Sequence, residues 1–363
     1  QIAVFKGLLD YDIRHGYRGA EKHLWAKGSA WNNEQITAYL ADLQSFEPFE
    51  PAIVTSVNGK DVGVVIKGGL DATISWDGLK WARPFISDDR QGVAPRKASD
   101  VLQQGDLIWV WQDEHSDQLR LAQIPDANAA FVALNPKNGA IQALVGGFNF
   151  EISKFNRVDQ ARRQVGSNIK PFIYSSALAN GFTLASIIND APITQWDGGT
   201  SGWSPKNSPP QYDGPISLRE ALARSKNVVT VRLLRSVGID NVLNYLRLFG
   251  FPDASLQRNE SISLGTAEFT PLELVTGYAA FANGGFKVTP YFIDRIEDAS
   301  GNVLYEAAPK IACAGCGKLA EAGLNSVTAY NDELGDWHSQ CPVDPVSQNQ
   351  AAPQIISSAN AFL

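Results

Sequence analysis

Arg163-Gln-Val-Gly166-Ser167-Asn-Ile-Lys170-Pro171-Phe172 is the stretch whose reading decides both the fold and the chemistry. From Ser167 to Asn180 the apolar residues recur with helical period, and Gly181 follows as a C-cap glycine should. Helix positions i and i+3 share a face, with Cβ atoms about 5–6 Å apart. Lys170 is therefore expected within hydrogen-bonding reach of the Ser167 hydroxyl. A serine becomes a nucleophile only when a base takes its proton, and lysine serves when burial or a second cation lowers its pKa. First-turn N–H groups and the positive end of the helix dipole suit a developing oxyanion. Pro171 is harmless there, because first-turn N–H groups have no intrahelical partner. Taken alone, Ser-x-x-Lys is a weak signal, since chance supplies on the order of one match in a chain this long. Its bland reading is an N-cap serine beside a solvated lysine.

A second constellation shifts the balance. Ser225-Lys226-Asn227 falls between a helix opened by Ser217 and another running Val228–Val237. Ser-x-Asn also occurs at Ser56, Ser347 and Ser358, but only Ser225 lies at a helix–helix corner. A hydroxyl there could relay a proton to a leaving amine, and the amide could hold a substrate carbonyl. An ordinary polar corner is the competing reading.

Other catalytic signatures are missing. The chain has no Walker loop, Gly-x-Gly-x-x-Gly, His-Glu-x-x-His or Gly-x-Ser-x-Gly. Its four histidines (His15, His23, His115, His338) are scattered, which argues against a His-based triad. The three cysteines are too few for a disulfide framework. Cys313-Ala-Gly-Cys316 has the spacing of half a zinc site, with His338 and Cys341 as the only later partners; a loop-stapling disulfide or unpaired thiols fit as well.

Outward from the motifs, the texture divides the chain. Residues 1–47 mix helix-like and turn-like pieces and do not make a domain alone. Between 50 and 125, short β-type runs recur at Ala52–Val57, Val62–Ile66, Ala72–Trp76, Leu107–Trp111 and Leu119–Ile124. They are broken by Asn58-Gly59, Gly68-Gly69 and Asp77-Gly78, which is good turn chemistry. This predicts a small barrel of the OB type. Trp76, Trp81, Trp109 and Trp111 read as core or packing residues before a binding face. Beyond Ala129, hairpin signals flank a block of helices. Ser217-Leu-Arg-Glu220 and Thr270-Pro271-Leu-Glu273 look like capping boxes, and Gly238 and Gly250 like C-caps. The expected class is α+β, an antiparallel sheet with helices.

Composition sets the limits. At 44% hydrophobic and 19% charged residues the chain is ordinary globular protein. A net charge of −7 gives nucleic-acid binding no electrostatic support. No apolar run approaches the ~18 residues of a membrane span, and no signal peptide is visible. The chain begins at Gln1, contains no methionine, and stops at Leu363 in what reads as a helix start. Both ends are expected to be cuts in a longer protein.

The two motifs in this order resemble the penicillin-recognising acyl-serine enzymes, whose set is Ser-x-x-Lys, Ser-x-Asn and Lys-Ser/Thr-Gly. The stretches around Ser167 and Ser225, with Trp203-Ser-Pro-Lys-Asn-Ser208 and Ser263-Leu-Gly-Thr-Ala-Glu-Phe-Thr-Pro271, narrow this to the class A (bifunctional) penicillin-binding proteins. Asp10-Tyr-Asp-Ile-Arg-His-Gly-Tyr-Arg-Gly19 and the barrel after it are similar to the 1A type of Gram-negative bacteria. The resemblance implies a segment over 1–47 leading to or packing on the transpeptidase domain, an OB-like insert over 48–125, and a penicillin-binding/serine β-lactamase-like transpeptidase domain over 126–363. It implies that Ser167 attacks the penultimate D-Ala carbonyl of a peptidoglycan stem peptide and Lys170 takes its proton. Ser225 would pass a proton to the leaving group, Asn227 would orient the substrate amide, and Gly265 and Thr266 would lie in the substrate-binding region. β-Lactams would acylate Ser167 and leave slowly. No metal or cofactor is implied.

Two departures accompany the resemblance. No Lys-Thr-Gly or Lys-Ser-Gly occurs in the 363 residues, so the third motif is expected beyond Leu363. A glycosyltransferase domain using lipid II-derived glycan, and an anchor to the periplasmic face of the inner membrane, are expected upstream. Two rivals stay in view. One is a serine β-lactamase or D,D-carboxypeptidase with water as acceptor, for which Glu260 is the candidate base. The other is a non-catalytic scaffold that binds peptidoglycan.

Overall fold

Turn chemistry at Asn58-Gly59 and Gly68-Gly69 folds residues 50–74 into a three-stranded meander in the computed structural model, which describes residues 1–26, 29–113, 118–193, 203–313 and 351–362. The chain divides into two units, Gln1–Ala130 with Val145–Asn156, and Phe131–Leu144 with Arg157–Leu363.

The first unit runs α1 (Ile2–His15), β1 (Lys22–His23), α2 (Asn33–Ala41), β2 (Glu50–Asn58), β3 (Asp61–Ile66), β4 (Leu70–Ile74), α3 (Trp76–Leu79), β5 (Phe85–Ser87), β6 (Arg90–Gln91), β7 (Asp106–Asp113) and β8 (Gln118–Ala122). Six strands form one sheet in the order β1-β7-β2-β3-β4, with β8 also on β7, all antiparallel. Alternation along β2 and β3 sends Ala52, Val54, Val62 and Val64 to one core with Ile108, Val110 and Leu121. The intervening Ile53 and Val65 meet Ile36 and Leu40 of α2 on the other face. Both faces of these strands are thus covered, which explains their unbroken apolar runs.

Residues 1–47, expected to lead into or pack on the second domain, contribute α1, β1 and α2 to this unit. The Asp10–Gly19 stretch fastens it. Arg18 Nη1 donates to buried Asp12 at 2.8 Å, Nη2 donates to the Ile124 carbonyl at 2.6 Å, and Gln123 Nε2 donates to the Gly16 carbonyl at 2.8 Å. The four tryptophans are packing residues, Trp76 and Trp81 against the β2–β3 core and Trp109 and Trp111 against the Phe49 and Phe148 cluster.

The second unit contains β9 (Phe131–Leu134), β10 (Ile141–Val145), β11 (Arg163–Gln164), a 3₁₀ turn (Gly166–Ile169), α4 (Lys170–Ala179), β12 (Ile187–Asp190), β13 (Gly214–Ser217), α5 (Leu218–Ala223), α6 (Asn227–Val237), α7 (Ile239–Leu248), a second 3₁₀ turn (Glu260–Leu264), β14 (Glu268–Phe269), α8 (Pro271–Ala282), β15 (Arg295–Glu297) and β16 (Val303–Glu306). Among the described residues its strands form two-stranded ladders, β9 with β10, β11 with β14, β12 with β13 and β15 with β16. The helix predicted to start at Ser167 starts at Lys170, and Ser167 sits in the 3₁₀ turn before it.

Helix α4 is buried around its whole circumference over Phe172–Ala177, two serines included. Phe172 meets Phe249, Phe251 and Tyr278 edge-on with ring centroids 4.9, 5.0 and 5.1 Å away. Such pairs add about 0.5–1.5 kcal/mol each beyond area burial. The Thr270–Glu273 capping box is complete. At Ser217 only half forms: the hydroxyl accepts from Glu220 N, while the Glu220 carboxylate turns to Arg224 at 2.8 Å. An ion pair one turn along the helix outcompetes the backbone amide for that carboxylate.

Candidate active site

Local structure aims Ser167 outward from a rigid base. Residues 163–166 run as a short strand beside 265–269: Arg163 pairs with Phe269, Gln164 with Glu268, and Gly166 N donates to the Gly265 carbonyl at 3.1 Å. The chain then tightens through the 3₁₀ turn into α4. Tyr278 OH donates to the Asn168 carbonyl at 2.9 Å and ties the turn to α8. Ser167 is exposed, while Lys170, three residues on, is 1% exposed.

The buried ammonium decides the geometry. Lys170 Nζ donates to the Ser225 carbonyl at 2.6 Å, to Ser225 Oγ at 2.9 Å and to Asn227 Oδ1 at 2.7 Å. Three N–H groups have three acceptors, which is what a buried –NH₃⁺ requires. The sequence predicts a hydrogen bond between Lys170 Nζ and the Ser167 hydroxyl, but Nζ gives its hydrogens to Ser225 and Asn227. Lys170 bonds Ser167 through its backbone N–H, which donates to the Ser167 carbonyl. Ser225 Oγ donates to Ser167 Oγ at 3.1 Å, so the two side chains are joined through a hydroxyl. Burial pushes the Lys170 pKa down from 10.5 to about 8.

Ser225 owes its place to the end of α5. Its N–H donates to the Leu222 carbonyl at 2.9 Å, and Lys226 N donates to the Ala221 carbonyl at 2.9 Å. This is a Schellman motif, whose left-handed residue is usually glycine. Here it is Ser225, at φ 52°, the one non-glycine with positive φ among the described residues. Such a conformation costs about 1–2 kcal/mol. In return the carbonyl and the hydroxyl of one residue both face Lys170.

Asn227 opens α6 and completes the cluster, with Nδ2 donating to the Lys206 carbonyl at 2.9 Å. Ser167, Lys170, Ser225 and Asn227 are thus brought together. Gly265 and Thr266 lie on the segment paired with the strand that leads into Ser167, where the Gly265 carbonyl accepts from Gly166 N. A Cβ on Gly265 would stand 2.0 Å from the Gly166 carbonyl oxygen, so glycine is what allows the two backbones to approach. Thr266 Oγ1 is 3.0 Å from Ser261 Oγ and braces the 3₁₀ turn of Glu260–Leu264.

Three residues to which the sequence assigned no role in the site, Asn207, Asp190 and Lys226, support it. Asn207 Oδ1 accepts from Asn227 N at 2.9 Å and Val228 N at 3.1 Å, while its Nδ2 donates to Asp190 Oδ1 at 2.7 Å and to the Gln211 carbonyl at 2.8 Å. Lys226, buried between the two motif residues, pairs with Asp190 at 2.9 Å and with Asp213. The sequence carried one trace of this, since Asn207 lies in the Trp203–Ser208 stretch.

Glu260, the candidate water-activating base, is engaged elsewhere. Arg235 Nε and Nη2 donate to its two oxygens, each at 2.8 Å. Cys313 is disulfide-bonded. Cys316, His338 and Cys341 lie outside the described residues, as does His115. No cluster of three His, Cys, Asp or Glu suited to a metal occurs among the described residues. No described helix is long and apolar enough to cross a membrane.

Comparison with known proteins agrees with both domain types expected from the sequence. Residues 17–127 match the family described as Penicillin-binding protein OB-like domain, and residues 129–312, about half the chain, match the Penicillin binding protein transpeptidase domain. Penicillin-binding protein 1A of Escherichia coli is 52% identical, the match covering 87% of this chain and 37% of that protein. Its counterpart from Vibrio cholerae is 47% identical over 99% of this chain and 42% of its own length. The chain therefore spans about two fifths of these relatives. Among solved structures, Penicillin-Binding Protein 1A from Haemophilus influenzae superposes with a TM-score of 0.80 at 39% identity, covering 100% of this chain and 50% of that one.

Proposed function

This chain belongs to the penicillin-binding protein transpeptidase family, and from that membership we propose that its second unit is an acyl-serine D,D-transpeptidase acting on peptidoglycan stem peptides. Ser167 Oγ attacks the carbonyl carbon of the penultimate D-Ala. The bond to the terminal D-Ala nitrogen breaks, leaving an ester on Ser167. Neutral Lys170 is the base. Loss of a proton from Lys170 leaves a lone pair for Ser225 Oγ and reverses both links. The serine proton then passes to Ser225 Oγ as the Ser225 proton passes to Lys170 Nζ, and the same path returns a proton to the departing amine. The amine of a neighbouring stem peptide then takes the acyl group and restores Ser167. Asn227 holds Lys170 through Oδ1 and keeps its second Nδ2 hydrogen for the substrate amide. Gly265 and Thr266 serve substrate binding through the turn they brace.

The observation that carries this reading is the chain Lys170 Nζ, Ser225 Oγ, Ser167 Oγ, with links of 2.9 and 3.1 Å. It joins an exposed hydroxyl to a buried amine whose pKa is already lowered. The bidentate Arg235–Glu260 pair counts against a water-activating base and so against the β-lactamase alternative. A β-lactam offers Ser167 the same acyl chemistry and yields a slowly hydrolysed ester. On family grounds the parent protein is proposed to carry a glycosyltransferase domain for lipid II-derived glycan and to sit at the periplasmic face of the inner membrane.

The test is turnover of a D-Ala-D-Ala pentapeptide with an amine acceptor by the full-length protein. Cross-linked peptide with one D-Ala released per bond is expected. Hydrolysed donor alone would place the enzyme with the carboxypeptidases. No D-Ala release and no penicillin labelling would leave only a scaffold.

A further inference from the structure

Beneath the reactive groups lies a polar cluster that the reaction itself does not use. Asp190 is 0% exposed, and its carboxylate accepts from Asn207 Nδ2, Asp213 N and Lys226 Nζ at 2.7, 3.1 and 2.9 Å. Asn207 is 5% and Lys226 7% exposed. The Asn207 amide makes four hydrogen bonds, two given and two received, which fixes the way it faces. Lys226 Nζ reaches Asp190, Asp213 and the Gln211 carbonyl, the last at 3.2 Å. Buried charges survive only when paired and hydrogen-bonded in this way.

The cluster grips the reactive segment at two adjacent points. Lys226 follows Ser225 directly, and Asn207 holds the first two N–H groups of α6, one of them that of Asn227. Directly before those anchors Ser225 keeps a left-handed conformation that a serine does not choose. Slippage of the segment would let Ser225 relax and would withdraw all three acceptors from Lys170, which come from Ser225 and Asn227 alone. A misplacement of about 1 Å at a reacting group can cost on the order of 100-fold in rate.

We propose that Asp190, Asn207 and Lys226 are positioning residues that hold Ser225 and Asn227 against Lys170, and through them set the reactivity of Ser167. This rests on the acyl-serine reading above. The cluster acts chiefly on the acylation step, because the two residues it holds, Ser225 and Asn227, supply all three acceptors of Lys170.

The test is stopped-flow acylation of the full-length protein by a fluorescent penicillin, separating the acylation rate constant from the dissociation constant, with thermal melting in parallel. Asn207→Ala and Lys226→Met are expected to slow acylation roughly 10- to 100-fold while the dissociation constant stays within about threefold. Lys226→Arg keeps the cation and is expected to recover acylation to within about threefold of wild type. Should Asn207→Ala not fold, Asn207→Ser, which keeps an oxygen acceptor, is expected to fold and to acylate slowly. Folded variants that acylate at the wild-type rate, or lose affinity alone, would overturn the proposal. Wild-type protein that is never acylated at Ser167 would instead overturn the acyl-serine reading, so the two failures are distinct.

Discussion

Ser225 Oγ donates to Ser167 Oγ across 3.1 Å, and through that contact the exposed Ser167 hydroxyl is joined to the buried Lys170 ammonium, to which it makes no direct hydrogen bond. Under the proposed acyl-serine reaction, that link makes one hydroxyl responsible for both proton movements of acylation, away from Ser167 and on to the leaving amine.

Removing that hydroxyl separates chemistry from stability. Ser225→Ala is expected to lower the acylation rate roughly 100- to 10,000-fold, the range of a lost proton relay. Ser225→Gly is expected to be as slow, yet more stable than Ser225→Ala by about 1 kcal/mol, because glycine suits the left-handed end of a Schellman motif. Denaturant melts and penicillin acylation of the two variants check both halves.

The same contact shows what the sequence disclosed. Ser167 and Lys170 were legible because three-residue spacing in a helical run puts both on one face. Ser225 stood out because it falls between the helix that Ser217 opens and the next apolar-periodic run, Val228–Val237. The relay was not legible. It depends on Ser225 taking a positive φ, which residue type argues against, and on a buried ammonium preferring three good acceptors to one. Asn207 and Asp190 come from separate segments and left no periodic mark, since their roles are set by tertiary contacts. The six-stranded sheet was legible from turn residues, except β1, whose two residues give too short an alternation to read.

Lys170 makes the reaction pH-dependent. With its pKa lowered by burial to about 8, the neutral base accumulates as pH rises. Acylation is expected to climb about tenfold per pH unit below 8 and to level above it. Lys170→Arg, always charged, is expected to abolish it. The stability effect has the same sign. Between about 8 and 10.5 the unfolded state binds the proton more tightly, so stability rises with pH through that window. The gain is on the order of 3 kcal/mol, and it should be present in the wild-type curve and missing from that of Lys170→Met.

Gly265 tests the support of the nucleophile's turn. Gly265→Ala places a Cβ 2.0 Å from the Gly166 oxygen and 2.3 Å from its nitrogen, backbone atoms with no side chain free to yield. A destabilisation above about 2 kcal/mol is expected, with a melting temperature lower by roughly 5 °C or more and slower acylation. Unchanged melting and acylation would show that the two backbones need not approach.

Glu260 separates the transpeptidase from its hydrolytic rival. Glu260→Gln is expected to weaken the Arg235 pair at a cost of about 1 kcal/mol and to leave the lifetime of the penicilloyl-enzyme unchanged. A lifetime extended tenfold or more would show that Glu260 activates water.

The most direct measurement is the mass of the full-length protein and of its Ser167 peptide after exposure to penicillin. The account predicts one penicilloyl adduct, confined to the peptide bearing Ser167, persisting after free drug is removed and missing from Ser167→Ala. An adduct that survives Ser167→Ala, or a wild-type protein that takes none, would contradict it.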